Sequence, residues 1–328
     1  MCKLSICIPT FNRSECLRQC LESILLSVQP VEDLVEIIVS DNASTYQSAS
    51  IVSEFQRTHP RIRYYKSQTN IGCERNIHKV ATMAAADYIW IIGDDDKVAP
   101  QAVSVILEHI SSGYDLIICN YSMYSSDFSA LRAPKRFRSS EVRIFHDPNE
   151  LMKCFGIQLG YISNLVMKRS VFLTTPLDEY ESYAEYGFSV MLAVYRGMLP
   201  RCNAIYVPEA LALNRTGNSG NCDWYKLFVV GTSLVFDALH KKGYSPSAIL
   251  AGKHEAIRDY VIRDILVRKR DGQSTRGLFS TMYPRLKANW LFWLGCVPAL
   301  LTPRFVVRMV DRLVFMPRRE GLCKDVSS

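Results

Sequence analysis

The chain has 328 residues, of which 48% are hydrophobic and 22% charged. That balance excludes a disordered chain and supplies a core for one large domain plus an appendage. The net charge of +7 is uneven, because residues 251–328 carry 15 Lys/Arg against 7 Asp/Glu, and a basic end attracts phosphate, whether of nucleic acid or of anionic lipid.

Residues 3–8 read as a short buried strand ended by Pro9, and Leu17, Leu21, Ile24 and Leu25 then recur at helical spacing. The pattern continues as strand 35–40, helix 49–58, strand 62–66, helix 73–85, strand 88–92, helix 102–111 and strand 115–120. Strands alternating with helices of this length predict an α/β fold with a mostly parallel sheet covered on both faces. In such sheets ligands bind beyond the carboxyl ends of the strands, so the loops there carry the interest. Periodicity is lost over 121–145, a loop or insertion rich in Ser, Tyr, Arg and Lys. Helix 148–155, strand 163–167, helix 183–196 and extended pieces at 204–207 and 211–214 follow. From Trp224 the pattern is helical, over 225–241, 247–269 and 278–289.

Residues 290–301 are apolar, but at about 12 residues and interrupted by Pro298 they fall short of the roughly 20 that span a bilayer. Residues 305–315 then mix apolar side chains with Arg304, Arg308 and Arg312, four apart and so on one helical face. This suits a helix lying in a membrane interface; the alternative is a helix packed on its own domain or on a second subunit.

Eleven cysteines, an odd number without any C-x-x-C, exclude zinc-site spacing. Cys7 and Cys119 lie in apolar runs as small buried hydrophobes. Met1 to Arg13 reads as strand and loop rather than as an apolar leader, and a reduced, cytosolic setting is expected.

Strand 88–92 runs into Gly93-Asp94-Asp95-Asp96. Three adjacent aspartates repel unless something positive joins them, and a hard divalent cation, Mg²⁺ or Mn²⁺, does so through carboxylate and phosphate oxygens. An acidic surface turn with Asp96 capping the next helix is the alternative. Strand one delivers Pro9-Thr10-Phe11-Asn12-Arg13. Strand two delivers Asp41, an acceptor for a base or ribose, or else a helix cap. A glycine turn, Asn70-Ile71-Gly72-Cys73-Glu74-Arg75-Asn76, opens the helix at 73.

This series resembles the family 2 glycosyltransferases of GT-A fold, closely over about the first 100 residues and more loosely to about 220. The Gly-Asp-Asp-Asp wording is similar to bacterial O-antigen enzymes of abequosyltransferase type. The resemblance implies a GT-A domain over 1–222, with a nucleotide-sugar half (1–120) and an acceptor half (121–222), and a helical, basic region over 223–328. It implies inverting transfer from a uridine or cytidine diphosphate sugar to a lipid-linked saccharide on the cytoplasmic face of the inner membrane. Asp41 would meet the pyrimidine, with Pro9, Thr10, Phe11 and Arg13 shaping the nucleotide pocket and Asn70 and Arg75 supporting the donor. Asp94 would serve the ribose and sugar, Asp95 the metal, and Asp96 would assist. The family often shows Asp-x-Asp-Asp; here Gly93 stands where the leading aspartate would.

Inverting transfer also needs a base for the acceptor hydroxyl. Ser182-Tyr183-Ala184-Glu185-Tyr186-Gly187-Phe188 resembles the family's acidic helix start, with Glu185 as the base and Glu181, Glu179 and Asp178 as alternatives. Asn214-Arg215-Thr216-Gly217-Asn218-Ser219-Gly220 resembles the loop closing over the diphosphate, where Arg215 would offset the leaving charge. Three rival classes fit less well. A sugar nucleotidyltransferase wants a glycine-rich basic signature after strand one, and a dinucleotide oxidoreductase wants G-x-G-x-x-G. A nucleic-acid binder wants a finger or an aromatic–basic sheet motif, so no nucleic-acid partner is expected.

Overall fold

The structure, a computed structural model, describes residues 2–45, 47–217, 223 and 225–310. Apolar runs rich in β-branched and aromatic residues form β1 (Leu4–Thr10), β2 (Val35–Asp41) and β4 (Tyr88–Ile91), and the more exposed β3 (Ile62–Lys66) carries two tyrosines. The segments between them form α1 (Ser14–Val28), α2 (Ser48–Gln56) and α3 (Cys73–Thr82). These strands pair in parallel in the order β3-β2-β1-β4. The chain continues through β5 (Lys97–Val98), α4 (Ala102–Ser111), β6 (Leu116–Tyr124), β7 (Leu131–Ala133), β8 (Arg143–Phe145), α5 (Pro148–Phe155) and β9 (Leu165–Lys168). Short helices α6 (Arg169–Phe172) and α7 (Leu177–Glu181), then α8 (Ser189–Met198) and the long strand β10 (Ala204–Arg215), complete the α/β part.

Beyond β4 the sheet runs β9-β6-β10-β5, with β9 antiparallel to both neighbours and β6 parallel to β10. Alternation along the strands feeds two cores. Leu4, Ile6, Ile8, Trp90 and Ile92 face the layer that includes Leu17, Leu21, Val103 and Ile106, whereas Cys7, Ile89 and Ile91 face the layer with Val80, Met191 and Tyr195.

Two expectations change. Residues 121–145 are not an unstructured insertion: β6 continues to Tyr124, β7 pairs with β6, and β8 pairs with β10. β7 and β8 are three residues each and mostly exposed, too short for a local pattern, and Phe145 of β8 is buried against Phe155 of α5. The helix expected over 183–196 begins only at Ser189, because Gly187 (φ 70°) and Phe188 (φ 67°) adopt the left-handed region that interrupts a helix.

The C-terminal region is helical: α9 (Thr232–Lys241), α10 (Pro246–Ala256), α11 (Ile262–Asp271), α12 (Leu278–Leu286) and α13 (Val297–Leu301). Wider π-type turns precede α9, α11 and α13. Phe228, Ile257, Ile265, Met282 and Phe292 belong to the same apolar cluster as Leu159 and Met191, so these helices share a core with one face of the sheet. Among the described residues no helix is long and apolar enough to cross a membrane; Phe292–Leu301 and Arg304–Val310 are bent by 105° to each other. Residues 311–315 of the expected amphipathic face, Arg312 among them, like Asn218, Ser219 and Gly220 of the expected closing loop, lie outside the described residues.

Candidate active site

The parallel order places the ends of β1, β2 and β4 side by side, so the loops at 9–13, 41–45 and 93–96 converge. Side chains fasten them together. Asn12, left-handed at φ 54°, accepts the amide of Thr45 on its Oδ1 at 2.9 Å and donates its own amide to Ser44 Oγ at 2.9 Å. Asn42 donates to Asn70 Oδ1 at 2.8 Å and accepts the amide of Ile71 at 2.8 Å, which ties the third loop to the second. Gly72 starts α3 at φ 89°, a conformation that an L side chain rarely adopts.

The aspartate triplet divides into two environments. Asp94 is buried, accepting the Thr10 hydroxyl at 2.6 Å and Arg13 Nη1 at 3.2 Å. The same Nη1 lies 3.1 Å from Oδ2 of Asp95, so one guanidinium nitrogen bridges both carboxylates. Burial works against the Arg13 charge, yet Asp94 and Asp95 more than offset it and raise the Arg13 pKa. Burial pushes Asp94 up to about 6 although Thr10 and Arg13 pull it down.

Asp96 turns the other way. Its Oδ2 accepts the hydroxyls of Tyr161 and Ser163, each at 2.6 Å, and its Oδ1 accepts the Arg215 amide at 3.0 Å and the Asn214 side chain at 3.2 Å. Four donors engage a carboxylate that has about four lone-pair sites, which departs from the expectation that Asp96 assists the cation. Burial, then the Asp95 charge, pushes it up to about 6. Among the described residues no three His, Cys, Asp or Glu side chains form a ready metal cage. Asp94 and Asp95 nevertheless offer hard oxygens converging on one positive atom, a donor set that suits Mg²⁺ or Mn²⁺ supplemented by phosphate oxygens.

Several expected residues sit elsewhere than their roles suggest. Asp41 is fully buried; its Oδ1 accepts the Ser44 amide at 2.7 Å and its Oδ2 the Tyr64 hydroxyl at 2.6 Å, so in this state it fixes the 41–44 turn. Phe11 is exposed, Pro9 half-buried and Asn70 exposed on the joined loops. Arg75 pairs with Glu181 at 3.0 Å, joining α3 to α7. Glu185 lies in the turn before α8, its side chain 73% exposed and paired with Lys226 at 2.7 Å. That hydrogen bond and charge lower its pKa. Of the alternative bases, Glu179 is held between Arg196 and Lys242, and Asp178 is exposed in the first turn of α7. Arg215 is fixed beside the cluster: its Nε donates to the Asp95 carbonyl at 2.8 Å, an Nη to Gln19 at 2.9 Å, and its guanidinium lies 4.6 Å from the Phe128 ring centre.

Sequence reasoning missed Tyr161, Ser163 and Glu74. Tyr161 lies between two short 3-10 turns and Ser163 within the second, at the start of the stretch read as a strand, and nothing in the pattern marks either side chain for a site. Glu74 accepts the Tyr180 hydroxyl at 3.1 Å, and burial pushes it up to about 7 against the pull of Tyr180 and the Phe188 and Val190 amides. It therefore pins the start of α8, which carries the Glu185 turn.

The sequence model described as Glycosyl transferase family 2 matches residues 5–174, just over half of the chain. Abequosyltransferase RfbV of Salmonella typhimurium is 28% identical over 228 residues, covering 66% of this chain and 67% of that protein. The GalNAc(5)-diNAcBac-PP-undecaprenol beta-1,3-glucosyltransferase of Campylobacter jejuni is 33% identical, over 37% of this chain but only 38% of its own length. Among solved structures, mannosyltransferase PcManGT from Pyrobaculum calidifontis, in complex with GDP-Man and Mn²⁺, superposes with a TM-score of 0.55 at 13% identity, covering 95% of this chain and 87% of that one.

Proposed function

The chain belongs to the family 2 glycosyl transferases, with a GT-A fold, and we propose that it transfers a sugar from a uridine or cytidine diphosphate donor to a lipid-linked saccharide of a bacterial surface polysaccharide, with inversion. The observation that carries this reading is the junction of β1 and β4, where Arg13 bridges Asp94 and Asp95 at the mouth of the joined loops.

Asp95, the less buried of the pair, is the proposed cation ligand, with Asp94 set beneath it by Thr10 and Arg13. A bound Mg²⁺ or Mn²⁺ would neutralise charge on the departing diphosphate. The chain's own residues do the rest. Arg215, held against the Asp95 backbone, sets a fixed positive charge beside that diphosphate. Phe11 and Asn70 present an aromatic face and an amide on the preassembled loops to the nucleoside, and Asp41 acts by fixing their shape. Glu185, kept ionised by Lys226 and open to solvent, takes the proton of the acceptor hydroxyl as its oxygen attacks the anomeric carbon. One bond forms to the acceptor oxygen as the bond to the diphosphate breaks, without a covalent sugar–enzyme intermediate.

The C-terminal helices supply the membrane-facing part of the proposal. Trp290, Trp293, Leu294, Leu301 and Phe305 are all exposed, Leu294 and Phe305 at 71% each. Aromatic residues beside Lys287, Arg304 and Arg308 suit an interface of acyl chains and headgroup phosphates. The Campylobacter relative, whose name specifies an undecaprenyl diphosphate acceptor, supports a lipid-linked acceptor.

The test is a thermal-shift series with UDP, CDP and GDP, with and without Mn²⁺, on the full chain and on Asp95→Ala. A cation-dependent rise with one pyrimidine nucleotide that disappears in Asp95→Ala is expected. An equal rise in the variant refutes the donor site.

A further inference from the structure

Away from the aspartate cluster, a cavity of about 360 Å³ opens between the 136–145 segment, α5 and the junction of α10 with α11. Its floor is aromatic. Phe155 packs against Phe137 at 5.3 Å between ring centres and against Phe145 and Tyr206 at 5.6 Å each, and the two phenylalanine pairs meet edge to face. Its rim is basic: Arg136, Arg138, Arg143 and Arg258 face only Glu255 and Asp259.

The acids are already committed. Asp259 is engaged by Arg258 at 2.6 Å and by Arg136 at 3.2 Å. Glu255 accepts the Ile157 amide at 2.9 Å and the Gln158 side chain at 3.1 Å, and burial pushes it up to about 7, so part of its population is neutral near physiological pH. Arg143 lies over the Phe145 ring at 4.6 Å and donates to the Cys154 sulfur, while Arg138 is exposed on the same rim. Two exposed guanidinium groups thus stand at the rim of an aromatic floor, and among the described residues no carboxylate pairs with either.

Intervening side chains link the cavity wall to the aspartate loop on one side and to the exposed apolar surface on the other. Gln158 accepts from Arg136 at 3.3 Å and from the Tyr121 hydroxyl at 3.4 Å; the Tyr121 ring packs on Tyr161 at 4.6 Å, and Tyr161 holds Asp96. Next to Glu255, His254 packs on Trp290 of the exposed apolar surface at 5.1 Å between ring centres.

We propose that this cavity binds the glycosyl-phosphate portion of the acceptor, with Arg138 and Arg143 holding the phosphate and half-buried Phe137, the most accessible ring of the floor, receiving a sugar face. Guanidinium forks match phosphate oxygens, and a rigid aromatic floor distinguishes a sugar phosphate from a bare ion. The inference rests on the acceptor reading above and adds the place at which the acceptor is gripped.

Calorimetric titration of the full chain in EDTA, which removes any cation from the aspartate cluster, tests it with glucose 1-phosphate, inorganic phosphate and glucose as probes. Glucose 1-phosphate is expected to bind at least tenfold more tightly than either of the others. The double substitution Arg138→Ala/Arg143→Ala, on two exposed side chains, is expected to remove at least tenfold of that affinity while leaving UDP and CDP binding with Mn²⁺ unchanged. Inorganic phosphate binding as tightly as the sugar phosphate, no binding of the sugar phosphate, or undiminished binding by the double variant overturns the proposal. Nucleotide binding with Mn²⁺ reads the donor site separately, so failure of the cavity and failure of the donor site give different results.

Discussion

Tyr161 donates its hydroxyl to Oδ2 of Asp96 at 2.6 Å, joining the segment ahead of β9 to the aspartate loop after β4. Burial and the Asp96 charge hold the phenol far above its usual pKa, so it stays a donor across the working range. Asp96 has three further donors, so Tyr161→Phe weakens the loop's anchorage without leaving the carboxylate bare. The expected loss is about 1.5–3 kcal/mol of unfolding free energy, in line with one hydrogen bond to a charged group, with nucleotide affinity reduced by a smaller factor than in Asp95→Ala. Chemical denaturation and nucleotide titration on the same preparations check both. A variant as stable as the parent would show that Ser163, Asn214 and the Arg215 amide suffice.

Arg13 does for Asp94 and Asp95 what a cation would do, and the two must exchange influence. In Arg13→Ala the carboxylates lose a shared partner, so the metal-free protein should lose stability at neutral pH, by about 1 kcal/mol or less since Arg13 is partly exposed. Mn²⁺ alone should then raise the melting temperature of the variant more than that of the parent, because it relieves repulsion that Arg13 no longer screens. Equal Mn²⁺ increments in both proteins would show that the cation does not sit at this pair.

Much of this site was legible in the sequence for a physical reason: β1, β2 and β4 are buried runs whose loops follow directly, and parallel topology brings consecutive strand ends together. Asp94, Asp95, Thr10 and Arg13 therefore stood out in the sequence as residues at the ends of strands. Asp96 was not separable from them, because its partners Tyr161, Ser163 and Asn214 lie 65 or more residues further along the chain. The break before α8 was also hidden: Tyr183 to Arg196 has helical spacing, and only the left-handed backbone at Gly187 and Phe188 ends it. Short edge strands such as β8 carry too few residues for a period, and Phe145 finds its buried aromatic partners only in the folded chain.

Glu185 and Glu181 provide a comparison on neighbouring turns. Glu185 pairs with Lys226, whereas Glu181 is tied to Arg75 across α3 and α7. If Glu185 takes the acceptor proton, Glu185→Gln should lower turnover roughly 100-fold or more and leave donor affinity within about twofold. Glu181→Gln, which loosens a largely exposed ion pair, should change stability by less than about 1 kcal/mol and turnover only modestly. Steady-state rates on both variants, with nucleotide titrations alongside, decide the matter. A collapse of turnover in Glu181→Gln with Glu185→Gln unaffected would move the base to α7.

Glu74 gives the fold a pH dependence whose sign is opposite to that of an ordinary salt-bridged acid. Burial raises its folded pKa to about 7 from the usual 4.5, so over that interval the folded state binds a proton that the unfolded chain does not. Acidification from about 7 towards 4.5 therefore favours folding through this group, and the advantage is lost as pH rises through about 7. Glu255, also raised to about 7 by burial, contributes in the same direction. Glu74→Gln keeps a carbonyl oxygen for the Tyr180 hydroxyl while removing the proton exchange, so its melting temperature should depend less on pH between 5.5 and 8 than the parent's. The largest gain over the parent should appear at the alkaline end. Melting curves of the cation-free full chain across that range test the linkage, and an unchanged slope in Glu74→Gln would mean that the carboxyl is ionised throughout and that Tyr180 and the α8 amides outweigh its burial.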